Sequence, residues 1–118
     1  MKPEFQACLA NDYPHILGII TKPGMPGIQC PDGWFSLLDD LFLKLALQAA
    51  SRSMDCPVAL QVIEKEGRLH LAFRHADWHA HELMKQAERC SSSLCVVCGR
   101  PGEPSSSGAR CAQHASQV

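Results

Sequence analysis

Hydrophobic positions recur at helical spacing over one long stretch. Trp34, Leu37, Leu38, Leu41, Leu45 and Ala49 fall three or four apart, with Asp39, Asp40, Lys44 and Gln48 between them. That period puts the apolar set on one face of an α-helix. Pro31-Asp32-Gly33 opens it, and Asp32 is the predicted N-cap. Phe35, Phe42, Leu43 and Leu47 widen the apolar sector well past one stripe. Such a helix is either central to the fold or carries a partner on its second side. The core reading comes first, and Phe35, Phe42 and Leu43 mark the partner-binding surface to test.

Further along, the period changes from helical to alternating. Val58 to Glu64 and Arg68 to Arg74 read as two strands joined at Glu66-Gly67, a short hairpin. Leu60 and Val62 lie two apart, as do Leu69, Leu71 and Phe73, so each strand is given one apolar face. From about Ala76 to about Ser92 the helical period returns in Ala76, Ala80, Leu83, Ala87, Cys90 and, just beyond, Leu94. Asp77 near its start, with Lys85 and Arg89 late in it, agrees with the helix dipole. Residues 1–32 carry turn signals and read as an irregular segment, with Ile16, Leu17, Ile19 and Ile20 as a short apolar piece that docks on the core. The predicted fold class is α+β: a long helix, a β-hairpin and a second helix packed as a core over 1–94. A zinc knuckle and a frayed tail follow over 95–118.

The knuckle is where composition begins to matter. Cys95-Val96-Val97-Cys98-Gly99 is answered by Cys111-Ala112-Gln113-His114, a four-ligand spacing of the kind tetrahedral zinc takes. Residues 99–110 between the pairs are rich in Gly, Pro, Ser and Arg, so burial alone cannot close them. Cys95, Cys98, Cys111 and His114 are therefore the predicted ligands of a structural Zn2+. A redox reading of the Cys-x-x-Cys pair wants a strand-helix setting, whereas this one runs into a Gly/Pro turn.

Size and charge narrow the rest. The 118 residues suffice for one core. No apolar run approaches the ~20 residues of a membrane span. Without a signal-peptide pattern near Met1 the expected location is the cytoplasm, where seven cysteines stay thiols or bind metal. Cys8, Cys30 and Cys56 have no paired spacing and read as buried or idle thiols before any supplement to the zinc site, while Cys90 reads as a small hydrophobe packed on the helix seam and only secondarily as a spare zinc ligand. A net charge of −1 gives no electrostatic footprint for nucleic acid. His75, His79 and Glu82 could share a helix face as a second metal or acid–base group, yet they lack the His-Glu-x-x-His order of a zinc hydrolase. Asp39 and Asp40 point about 100° apart on a helix and form no dyad.

Read in order, Tyr13-Pro14, Cys30-Pro31-Asp32-Gly33-Trp34, Gln61-Val62-x-Glu64-Lys65, Ala87-Glu88-x-x-Ser91, Cys95-x-x-Cys98-Gly99-x-Pro101-Gly102 and Cys111-x-x-His114 resemble a group of small, mostly uncharacterised proteins of bacteriophages and prophages. The resemblance spans nearly all of residues 13–114. It departs at Glu66-Gly67-Arg68, where the group has Phe-Gly-Gly, and at Ala109, where the group has Trp. It implies a phage origin and a structural zinc, and no enzymatic activity.

Three function classes follow. The first is a protein-binding module that blocks or redirects a host protein, including a defence complex such as CRISPR-Cas, with homodimerisation through the first helix as a further possibility. The second is a nucleic-acid-binding regulator in which the knuckle and Arg68, Arg74, Arg89, Arg100 and Arg110 contact phosphates. The third is a metal-dependent hydrolase or nuclease built on His75, His79 and Glu82. No catalytic constellation is legible, so the reading is of a protein that is not an enzyme.

Overall fold

In the computed structural model, which describes residues 1–115, the chain forms four helices and a three-stranded sheet. Helices α1 (Pro3–Asp12) and α2 (Pro14–Leu17) precede β1 (Ile28–Gln29). A 3-10 turn (Asp32–Trp34) leads into α3 (Phe35–Ser51), which is followed by β2 (Val58–Lys65), β3 (Arg68–Arg74) and α4 (Trp78–Ser91). The fold is α+β, and the expected tail residues Ser116, Gln117 and Val118 lie outside the described part.

The core gathers where α3 crosses the inner face of the sheet. Trp34, Leu38, Leu41, Phe42 and Leu45 from the α3 region meet Val62 and Leu69 from the sheet and Leu9, Ile16 and Leu17 from the N-terminal helices. Trp34 is fully buried, and its indole N–H has no partner among the described residues. Phe42 touches the Tyr13 ring edge-on at 5.8 Å and the Phe73 ring at 6.4 Å.

Four sequence expectations need correction. Residues 1–32 are not irregular, because Pro3 and Pro14 each sit in the first turn of a helix, where a missing N–H costs nothing. Asp32 does not cap α3 with its side chain; its carboxylate accepts the Lys2 backbone N–H at 2.8 Å. Leu60 does not share a face with Val62, since a β-bulge between Ala59 and Gln61 turns it outward and 42% exposed. The fourth concerns Phe42, which is completely buried and so forms no partner surface.

The sheet order is β1-β2-β3, with β1 parallel and β3 antiparallel to β2. Glu66 and Gly67 make the two-residue hairpin turn, both at positive φ (54° and 80°), the geometry that matches strand twist. Edge strand β3 would expose unpaired donors. Helix α4 covers them: the Leu69 N–H donates to Ser91 Oγ at 2.9 Å and the Leu71 N–H to Glu88 Oε2 at 3.0 Å. Asp77 caps α4 by accepting the Ala80 N–H at 2.8 Å.

Candidate metal centre

Residues 94–115 fold back on the body of the protein as a knuckle whose backbone bonds explain the position of each ligand. After Cys98 the chain must reverse, and Gly99 supplies a φ of 82°. Its N–H donates to the Cys95 carbonyl at 2.8 Å, while the Cys95 N–H donates to the Arg100 carbonyl at 2.7 Å. The pair of bonds closes a tight loop that turns both sulfurs inward. The Val96 N–H donates to the Ala109 carbonyl at 2.9 Å, which brings the second ligand pair alongside. The His114 N–H donates to the Cys111 carbonyl at 3.0 Å, a single turn that places the imidazole beside its partner thiol.

The donor atoms converge. One ligand atom from each of Cys95, Cys98, Cys111 and His114 lies within 4.8 Å of every other. Cys98 Sγ and Cys111 Sγ are 3.6 Å apart, and His114 Nδ1 is 3.6 Å from Cys95 Sγ and 3.2 Å from Cys111 Sγ. A tetrahedral ion with metal–sulfur bonds of about 2.3 Å and metal–nitrogen bonds of about 2.0–2.1 Å sets donor separations of roughly 3.5–3.8 Å. The two separations of 3.6 Å fall in that range and the 3.2 Å one is slightly shorter, with Nδ1 as the imidazole donor. These four residues, which the sequence spacing singles out, gather into a cluster whose donor atoms could hold a metal ion.

Electrostatics inside the cluster point the same way. Burial raises the Cys95 thiol, but the N–H groups of Cys111, Cys98 and Val97 outweigh it and bring it down to about 6. Cys98 is drawn down by its bond to the Arg100 backbone, yet local desolvation and its neighbours Cys111 and Cys95 leave it above the ordinary thiol value even though the residue is exposed. Thiolates this close repel one another, and a dication placed among them removes the conflict.

The knuckle is also bolted to the fold at two glycines that sequence reasoning did not single out as seats. The Gly33 N–H donates to the Val96 carbonyl at 2.9 Å, and a Cβ on Gly33 would lie 2.1 Å from the Cys95 carbonyl oxygen. At the hairpin tip, a Cβ on Gly67 would meet the Ser105 carbonyl oxygen at 2.3 Å. In the sequence the only hint was that Gly33 sits inside the Cys30–Trp34 motif.

The other candidates are scattered. His75 lies before α4, in left-handed backbone at φ 63°, and faces a cleft with His15 and Cys56. His79 instead meets the Trp78 ring edge-on, centroids 5.2 Å apart, and Glu82 is 3.9 Å from Lys85. His75, His79 and Glu82 therefore make no joint site, and among the described residues the only gathering of three or more metal donors is the knuckle quartet. Cys30 is buried, which pushes its thiol up to about 12, whereas Cys8 and Cys90 are exposed. Cys56 is half-buried, with its thiol also raised by burial. Of the proposed partner residues, Phe35 packs on Phe5 at 5.0 Å and Leu43 is 45% exposed. Comparison with family models, curated proteins and solved structures returned no match to this chain.

Proposed function

We propose that this protein is a zinc-stapled binding module: a phage-type factor that attaches to a host protein in the cytoplasm and blocks or redirects it. Defence complexes such as CRISPR-Cas are among the candidate hosts. The closed donor set carries this reading. Three thiols and one imidazole fill a tetrahedron and leave no coordination position for an activated water, which makes the metal a staple and sends function to the surface. Sulfur-rich tetrahedral donor sets favour zinc over harder cations. The phage resemblance supports the host setting, and free thiols fit a reducing compartment. No helix of the described residues is long and apolar enough to cross a membrane.

A single partner contact of about 800 Å² per side is within reach of a domain this size. Leu43 and Leu47, 45% and 60% exposed on the side of α3 away from the core, offer apolar area for it or for a second copy of the chain. Tagged protein drawn from bacterial lysate, with and without nuclease, tests the reading by mass spectrometry. The expected result is one stoichiometric protein complex that survives nuclease. Recovery of nucleic-acid-dependent proteins alone would overturn it in favour of a nucleic-acid-binding regulator. Zinc per chain, read by atomic spectroscopy, should be about one in the native protein and close to none in Cys98→Ser.

A further inference from the structure

Three surfaces lie apart from the knuckle: the Leu43–Leu47 stripe, the cleft of His15, Cys56 and His75, and the outer face of the sheet. The last combines charge, pattern and openness. Strand register fixes its membership: Ile63 stands opposite His70 and Gln61 opposite Ala72, while the inner pairs are Val62 with Leu71 and Glu64 with Leu69. Lys65, Arg68, His70 and Arg74 are exposed on the outer face. Ile63 and Ala72 are half-buried there, and neither packs into the core cluster. Gln29 and Gln61, which the register puts on the same face, are exposed as well.

Its charge is one-sided. The strand positions on the face hold no carboxylate, since Glu64 has the opposite parity and accepts the Gly67 N–H at 2.8 Å. Ion pairs among the described residues use Lys44, Arg52 and Lys85, so Lys65, Arg68 and Arg74 are free of them. Three of the eleven Lys and Arg residues of a chain with net charge −1 thus stand together on this face. Lys65 and Arg68 face each other at the hairpin end, and Arg74 lies six residues further along β3, roughly 20 Å away.

We infer that the outer face of the β1-β2-β3 sheet is a docking surface for an acidic protein segment. Lys65 and Arg68 hold it at one end and Arg74 at the other, and it seats on Ile63 and Ala72. The inference rests on the protein-binding reading and names a surface and a partner chemistry for it. An apolar centre inside a charged rim is the anatomy of a protein interface, in which arginine is enriched. Nucleic acid fits less well, because a pI of about 6.6 is far below that of a typical nucleic-acid-binding domain. The strand positions of the face also hold no Phe, Tyr or Trp, the larger aromatic platforms on which bases stack.

The test uses the zinc-loaded full chain, labelled with nitrogen-15 and titrated separately with poly-L-glutamate and with an oligothymidylate. Poly-L-glutamate should shift the amides of 61–65 and 68–74 and leave α3 unmoved. Arg68→Gln/Arg74→Gln should weaken that binding at least about tenfold, and Arg68→Glu/Arg74→Glu should abolish it, with the spectra of both variants still dispersed. Shifts confined to another surface, or none, would overturn the inference while leaving the lysate experiment to judge the protein-binding reading by itself. Tighter binding of oligothymidylate on this same face would overturn the choice of partner.

Discussion

Tyr13 condenses several residue-scale arguments. Its hydroxyl donates to Asp39 Oδ1 at 2.8 Å while its ring packs edge-on against Phe42. Burial, then the bond to Asp39 and the charge of that carboxylate, pushes the phenol up to about 12. A group whose folded pKa is raised stabilises the fold fully below its unfolded value and loses that stabilisation as pH climbs through the folded one. The Tyr13 contribution should therefore persist to about pH 10 and vanish by about pH 12. Because the chain has one tyrosine, phenolate absorbance reads this group directly. The midpoint should fall towards 10 in Asp39→Asn. Tyr13→Phe should cost about 1.5–3 kcal/mol in urea denaturation, the worth of a hydrogen bond to a charged acceptor. The Tyr-Pro pair was visible in the sequence as a turn signal, but its partner lies 26 positions away, and no local pattern encodes that distance.

At the scale of elements, the closest coupling is between α4 and the edge of the sheet. Ser91 is fully buried, accepts the Leu69 N–H at 2.9 Å and donates to the Glu88 carbonyl at 2.6 Å. Ser91→Ala leaves a buried strand N–H without an acceptor, at a cost of about 1–3 kcal/mol. Urea denaturation should record the loss, and faster amide exchange at Leu69 and Leu71 should place it on β3. Glu88→Gln retains an acceptor and should cost less. The periods of α3, β3 and α4 were legible because each buries one face over several turns or pairs. The bulge at Leu60, the two-residue β1 and the N-terminal helix were not. A bulge breaks the alternation that would announce it, two residues carry no period, and α1 fully buries only Leu9.

On the scale of the whole molecule, the metal centre joins parts of the chain far apart in sequence. The knuckle touches the Gly33 turn through Val96 and the hairpin tip through the Ser105–Gly108 loop. Chelation should therefore do more than loosen a tail. Amides of 95–111 should lose protection, Gly33 and Gly67 should follow, and the amides of α3 and β2 should stay slow to exchange. Zinc sites in small peptides carry about 10–16 kcal/mol of apparent binding energy, so midpoint temperature should drop sharply on metal removal and recover when zinc is restored. Simultaneous loss of protection throughout α3 would mean that the core depends on the metal as well.

By itself the sequence determined the α+β class, the long apolar helix and the four clustered donors. All three rest on short-range rules: the 3.6-residue period, the alternation of a strand and the two-residue spacing of ligand pairs. The tertiary structure alone decided which of the surplus apolar residues stayed outside. Phe42 and Leu43 are neighbours in sequence and equally hydrophobic, yet Phe42 is buried under Tyr13 and Phe73 while Leu43 is 45% exposed. One step along a helix turns a side chain by about 100°, and what waits at each angle is set by elements from elsewhere in the chain. The open cationic face of the sheet has the same origin, for its exposure depends on where α3 and α4 pack.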